Sequence, residues 1–234
     1  EIMKYEGIGP YRGTKWITSA MSIENQKIYK IKQNNLKNKD KIFIDIETDS
    51  LRPNIIWHIG VYNDKKEEYE NFLEKNPKKK KRIIKKFIKY LEKNKTPKTV
   101  LLAWYGKKFD YKILNQFIKK FEPNYLAIWN RIDKKDFMEW IKKHTATPCR
   151  TQKLEHISEK TNFKTEKTGL NGEKVGKMYT EYMNNQKDDL NWKKLEKYGK
   201  NDVMAMKHIY VKIKEATMPY NIKNVKQKYK KSRK

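Results

Sequence analysis

The chain has 234 residues, of which 37% are hydrophobic and 36% charged, with 56 Lys and Arg against 28 Asp and Glu and a formal charge of +28. That length supports one domain with a real core plus short extensions, and an excess of positive charge this large favours a polyanionic partner, nucleic acid above all. A single cysteine, Cys149, excludes an intrachain disulfide and a cysteine-based zinc site and suits a reducing, intracellular compartment, while no apolar run approaches the roughly twenty residues that span a bilayer, so no membrane partner is expected.

Residues 1–38 read as an N-terminal extension, because Gly7-Ile8-Gly9-Pro10 and Tyr11-Arg12-Gly13 are turn sequence. Residues 41–47 are nearly all apolar and make a strand for the centre of a sheet. Residues 55–62 form the second strand, Asn63-Asp64-Lys65 a turn, and Glu68–Leu73 the third. Asn76 and Pro77 open the first helix as cap and first turn, and Ile83, Ile84, Phe87, Ile88 and Leu91 are its apolar stripe. The basic block 78–82 opposes the helix dipole there and reads as a solvated face.

Thr99–Ala103 is the fourth strand. Residues 109–121 are a helix with Ile113, Leu114, Phe117 and Ile118 inward and Asp110 in the first turn. Residues 125–129 are expected to be the fifth strand. Helices follow from Asp136, over 152–160, over 172–184 and from about 189 to 216, with Asp133 and Asp136 read as caps of the first of these. Pro219 ends the last helix, and 219–234 is a basic tail. Trp104, Trp129, Trp140 and Trp192 lie in apolar patterns and are assigned to the core, Tyr105, Tyr179 and Tyr182 to a substrate channel. His58, His144, His156 and His208 lack ligand spacing and read as structural or surface residues.

Four acids and one tyrosine carry the chemistry. Asp45 and Glu47 sit in Ile42-Phe43-Ile44-Asp45-Ile46-Glu47-Thr48, and because a strand alternates its faces they point the same way. Two carboxylates side by side in an apolar strand are costly to bury unless a cation lies between them. Asp110 ends Trp104-Tyr105-Gly106-Lys107-Lys108-Phe109-Asp110. Asp202 ends Tyr198-Gly199-Lys200-Asn201-Asp202, where Tyr198 and Asp202 share a helix face. Clusters of carboxylate oxygens of this kind bind divalent metal.

This order of motifs resembles the DnaQ-like 3′-5′ exonucleases, the DEDD group on the ribonuclease H-like fold. A Tyr four residues before the last Asp marks the tyrosine type (DEDDy); the histidine type has a His five before it, where Lys197 stands here. Gln152-Lys153-Leu154-Glu155-His156-Ile157 and Gly172-Glu173-Lys174, with Tyr179 and Tyr182 beyond, resemble the middle of the YprB-type ribonuclease H-like domain and are similar to the exonuclease domain of family B DNA polymerases. The resemblance covers about 41–214. One departure is Tyr105, where the family usually has Asn.

The resemblance implies an α/β ribonuclease H-like domain over 39–218, with a five-stranded mixed β-sheet flanked by α-helices. It implies hydrolysis of DNA or RNA from the 3′ end to nucleoside monophosphates with two Mg²⁺ or Mn²⁺ ions. Asp45 would bridge both ions, Glu47 and Asp202 would hold one, and Asp110 would help hold the other through water. Tyr198 would orient or deprotonate the attacking water, with orientation favoured because a phenol titrates near pH 10. Thr48 would line the site of the terminal nucleotide and Leu51 would wedge between the last two bases, an apolar contact that tolerates any sequence. Tyr105, facing the channel, and Lys107 and Lys108, beside Asp110, complete the expected substrate contacts. A protein partner in a replication, repair, RNA-processing or defence complex is compatible with this chemistry. The alternative is a catalytically silent nucleic-acid-binding module in a larger ribonucleoprotein or replication or defence complex.

Overall fold

A computed structural model of the chain describes residues 26–30, 35–149, 151–164, 168–184 and 190–216. The turn sequence at 7–13, residue 189, Pro219 and the basic tail lie outside the described residues. In chain order the strands and helices are β1 (Tyr29–Lys30), β2 (Asp40–Thr48), β3 (Ile56–Asn63), β4 (Glu68–Leu73), α1 (Lys81–Asn94), β5 (Thr99–Ala103), α2 (Asp110–Phe121), α3 (Leu126–Arg131), β6 (Asp133–Asp136), α4 (Phe137–His144), β7 (Thr145–Ala146), α5 (Leu154–Lys160), α6 (Gly172–Met183) and α7 (Trp192–Glu215). The main sheet has five strands in the order β4-β3-β2-β5-β6. β2, β3 and β4 pair antiparallel, whereas β5 joins β2, and β6 joins β5, in parallel. It is the mixed sheet expected, with the apolar strand β2 at its centre, where a strand covered on both faces belongs.

Two elements depart from the sequence reading. Asn76 does cap a turn, its side chain accepting from the Lys78 N–H, but Pro77–Lys79 is a 3-10 turn and α1 starts after it. Residues 125–129 are not a strand. Pro123–Tyr125 is a 3-10 turn that leads into α3, where Trp129 is buried and Tyr125 and Leu126 pack on the same core at helical spacing. The fifth strand of the main sheet is β6, and Asp133 and Asp136 are its two ends. Its sequence, Asp-Lys-Lys-Asp, has no strand propensity; it is held by its backbone ladder to Val100–Ala103 and by Lys134, whose Nζ donates to the Trp129 and Ile132 carbonyls.

The chain divides into two compact units. The first, Leu36–Phe137 with the described residues of Thr165–Lys207, contains the five-stranded sheet. One side of this sheet sends Ile42, Ile44, Ile46, Ile59 and Val61 into a core closed by Ile84, Phe87 and Ile88 of α1 and Leu114 and Ile118 of α2. A second core joins Ile55 and Trp57 to Val175 and Tyr179 of α6 and Leu195 of α7. Tyr179 is therefore not a channel residue: its ring is fully buried and stacks on Trp57 at 5.2 Å, and Tyr182 packs against the same cluster. Trp129 is buried as expected, while Trp104 and Trp192 are only partly so.

The second unit gathers the described residues of 26–35, Met138–Lys164 and 208–216. Tyr29 and Lys30 pair antiparallel with Ala146 and Thr145, and Trp140, also buried, donates from its indole to Asn35 Oδ1. The three histidines here have structural contacts: His144 stacks on Trp140, His156 hydrogen-bonds Thr151, and His208 Nε2 meets the Thr161 carbonyl at 2.9 Å. Among the described residues no helix is long and apolar enough to cross a membrane.

Candidate metal centre

β2 carries Ile44 and Ile46 into the α1–α2 core and thereby turns Asp45 and Glu47 to the opposite face. The ladder to β3 shifts register between Glu47 and Thr48. Such a bulge bends the strand and re-aims the residues beyond it; here those residues form the loop that carries Leu51. Asp49 closes that loop, its Oδ1 accepting from the N–H groups of Asn54 at 3.0 Å and Ile55 at 3.2 Å, while Thr48 Oγ1 donates to the Ser50 carbonyl. α6 steadies it from the side, through Thr180 Oγ1 donating to the Asp49 carbonyl.

α7 brings Tyr198 and Asp202, one turn apart, to the same place. Carboxylate oxygens of Asp45, Glu47 and Asp202 lie within 4.8 Å of one another. Asp110 stands beside this group at the first residue of α2, only 4% exposed, where the helix dipole favours an anion. Its carboxylate accepts from its own N–H and from that of Ile46, which ties α2 to β2.

Crowding dominates the electrostatics. Burial, then Glu47, Asp202 and Asp110, hold the Asp45 carboxyl well above the usual range. Burial, then Asp202 and Asp110, do the same to Glu47. Burial raises Asp110 from 3.8 to about 7, with Asp136 and Asp202 adding to it and the two backbone N–H groups opposing. Burial and the acids around it push Tyr198 up as well, so its phenol keeps its proton. The acids surround an open cleft of about 1050 Å³, lined among the described residues by seven carboxylates (Asp45, Glu47, Asp49, Asp110, Glu173, Glu181 and Asp202) against one cation, Lys177. In a chain of +28 this is a local reversal of sign. The donor set is that of a hard divalent cation, and Asp45 Oδ2, buried without a hydrogen-bond partner, is the orphaned atom such an ion would satisfy.

Asp45, Glu47, Thr48, Leu51, Tyr105, Asp110, Tyr198 and Asp202 all line the cleft; Lys107 and Lys108 are exposed beside it and do not. Leu51, 86% exposed, and Tyr105, 43% exposed, are the exposed large hydrophobic residues among those described, and both face this one cleft. Tyr105 has φ +57°, a left-handed conformation that Asn adopts more readily than other non-glycine residues, which gives a physical reason for the Asn usual at this position in the family that the motifs resemble. The turn is fixed by two N–H groups, of Lys108 and Phe109, donating to the Tyr105 carbonyl. It is held also by Asp136, whose Oδ2 accepts from the Lys107 N–H at 3.3 Å. A Cβ at Gly106 would lie 2.7 Å from the Tyr111 ring, so only glycine fits.

The sequence reading missed Trp104, Phe109, Glu173, Lys177 and Glu181 as lining residues, and the loop clamp Asp49. Only Asp49 leaves a local signal, as the leading residue of an Asp-Ser…Pro-Asn turn sequence.

A family model described as the RNase_H superfamily matches residues 42–214. Among solved structures, one reported as showing how the structure of exonuclease I suggests the way processivity is achieved superposes with a TM-score of 0.51 at 12% identity, over 76% of this chain and 41% of that one. E. coli exonuclease I in complex with a 5cy-dA13 oligonucleotide gives 0.49 at 12% identity, over 79% and 42%, and the complex with a dT13 oligonucleotide gives 0.48 at 11%, over 75% and 41%. The chain thus spans about four-tenths of the length of these proteins, and the likeness to the first is one of fold. Comparison with curated protein sequences gave no match.

Proposed function

The chain belongs to the RNase H superfamily, and from that premise we propose that it is a metal-dependent 3′-5′ exonuclease of the tyrosine type (DEDDy), hydrolysing phosphodiester bonds of DNA or RNA. The observation that carries this reading is the trio Asp45, Glu47 and Asp202, within 4.8 Å of one another at the floor of an acidic cleft in a strongly basic chain. A silent binding module has no physical reason to keep repelling, largely buried carboxylates together.

Asp45, Glu47 and Asp202 are the residues that would hold a divalent ion, with Asp110 contributing to a second. Two such ions supply an activated water, charge neutralisation at the phosphate and help for the leaving 3′-oxygen. Tyr198, protonated and directed into the cleft, orients the attacking water by hydrogen bonding rather than removing its proton. Leu51 and Tyr105 offer apolar and aromatic faces to unpaired bases, which fits a frayed or single-stranded 3′ end. Thr48 lines the place of the terminal nucleotide, and Lys107 and Lys108 meet phosphates outside the cleft. We assign this activity to residues 39–218.

Polarity is tested with 5′-labelled DNA and RNA oligomers, each with a free or a blocked 3′ hydroxyl. The expected result is a descending ladder that depends on a free 3′ end. A single internal cut would make the protein an endonuclease, equal cleavage of blocked ends would exclude the 3′-5′ polarity, and no cleavage would leave only binding.

A further inference from the structure

α7 lies on the face of β3 that continues the face of Asp45 and Glu47, since Asp45 pairs with Gly60 and Glu47 with His58. Helix positions four apart meet strand positions two apart. A Cβ on Gly199 would lie 2.3 Å from His58 Cε1 and 2.7 Å from Nδ1. A Cβ on Gly60 would lie 3.1 Å from Val203 Cγ2 and 3.1 Å from the Tyr69 hydroxyl. Lys207 Nζ sits 5.5 Å from the centroid of the Tyr62 ring. Four helical residues rise about 6 Å and two strand residues about 6.6 Å, so the two elements keep in step over all three contacts.

The sizes are reciprocal. A bulky strand residue, His58, faces a helix glycine; a strand glycine, Gly60, faces a bulky helix residue, Val203. Both bulky side chains are fully buried, and the His58 ring lies beside that of Trp57, 5.8 Å between centroids. Burial also holds His58 at a pKa of about 4, with Asn71 its polar neighbour, so the ring is neutral and adds no charge beneath the acids. In sequence, Gly199 follows Tyr198 and Val203 follows Asp202.

We propose that the His58–Gly199 and Gly60–Val203 pairs are positioning residues: they set the height and register of α7 on β3 and so hold Asp202 where it can share a divalent ion with Asp45 and Glu47, with Tyr198 one turn away beside them. The inference rests on the metal-dependent reading above. A slip of one residue moves a helix side chain about 1.5 Å along the axis and about 100° around it, which takes Asp202 out of reach. Mere packing makes a different forecast: substitutions lower stability, but the molecules that remain folded bind metal as before.

The test uses the whole chain as wild type, Gly199→Ala and the double variant His58→Ala with Gly199→Ala. Folding is followed by circular dichroism and Mn²⁺ binding by calorimetry. Gly199→Ala is expected to fold and to bind Mn²⁺ at least tenfold more weakly. The double variant is expected to recover most of that affinity, because removal of the imidazole makes room for the new methyl. Wild-type affinity in Gly199→Ala, or no recovery in the double variant, overturns the inference. Should Gly199→Ala fail to fold, the milder contact decides: Gly60→Ala is expected to weaken Mn²⁺ binding and Gly60→Ala with Val203→Ala to restore it, and equal affinities in both and in wild type overturn the proposal. Wild-type protein that takes up no Mn²⁺ sinks the metal reading and this inference together, an outcome distinct from metal binding that the variants leave unchanged.

Discussion

Replacing Asp110 with Asn is expected to stabilise the metal-free protein while weakening its response to metal. The Asp110 carboxyl, 4% exposed, titrates near 7 in the fold against 3.8 ordinarily, chiefly through burial. Between those values the folded chain holds a proton that the unfolded chain has released. Stability is therefore intact below about pH 4, falls as the pH rises towards 7, and then levels. A rise of about three units corresponds to about 4 kcal/mol at pH 8. The proton is shared among neighbouring acids, and the amide still accepts a backbone N–H, so a net gain of about 2 kcal/mol is expected for Asp110→Asn. For a chain of this size that is about 4–8 °C in Tm. Melting is measured in chelator at pH 4 and pH 8, then with millimolar Mn²⁺ at pH 8. The variant should melt above wild type at pH 8 in chelator and level with it at pH 4, whereas Mn²⁺ should raise wild type by more. A variant that melts below wild type at pH 8 in chelator, or a metal-induced rise equal in both proteins, would refute the reasoning.

Tyr198→Phe should fold, keep its Mn²⁺-induced rise in Tm and lose about 10²–10⁴ in single-turnover rate; an unchanged rate reduces the hydroxyl to packing. Leu51→Ala should leave Tm alone, the side chain being 86% exposed, and weaken binding of single-stranded 3′ ends by about 1–2 kcal/mol, the worth of the apolar groups removed from a base contact, as measured by fluorescence anisotropy. Tyr105→Asn should raise Tm, because it relieves a non-glycine residue at φ +57° of about 1 kcal/mol or more of strain, and should weaken the same binding; a lower Tm would show the tyrosine to be supporting the turn. Deleting residues 223–234 should flatten the log-log salt dependence of binding by about 0.7 for each phosphate that the tail neutralises while the rate at saturating substrate is kept, and a deletion that stops turnover without weakening binding would tie the tail to the site.

The fold was legible where burial writes a period into the sequence. β2 and β3, the stripe of α1 and the inward residues of α2 each carry their own apolar pattern, and the sheet order follows once those elements are placed. β6 was not legible, because Asp133-Lys134-Lys135-Asp136 is recruited by the backbone of β5 and by the Lys134 contacts to carbonyls, and nothing in its composition marks a strand. Residues 125–129 misled for the opposite reason: Tyr125, Leu126, Ile128 and Trp129 are as apolar as a strand, but Pro123 starts a turn and the burial of Trp129 is helical.

At the site, Asp45, Glu47, Tyr198 and Asp202 announce themselves by spacing within one element. Tyr179 has the composition of a binding residue, but its place is set by Trp57, more than a hundred residues earlier in the chain. The His58–Gly199 contact is of the same kind, since a lone histidine and a lone helix glycine mean nothing until the sheet and α7 are laid together. Glu173, Lys177 and Glu181 read as an ordinary polar helix face until α6 is seen beside the cleft.

The most direct test of the central claim is release of nucleoside 5′-monophosphates from a single-stranded oligomer, followed by chromatography, with wild-type protein and Asp45→Ala in Mn²⁺ and in chelator. The acidic cleft predicts monophosphates from wild type in Mn²⁺ and none in the other three reactions. Release by Asp45→Ala at the wild-type rate, or by wild type in chelator, would contradict it.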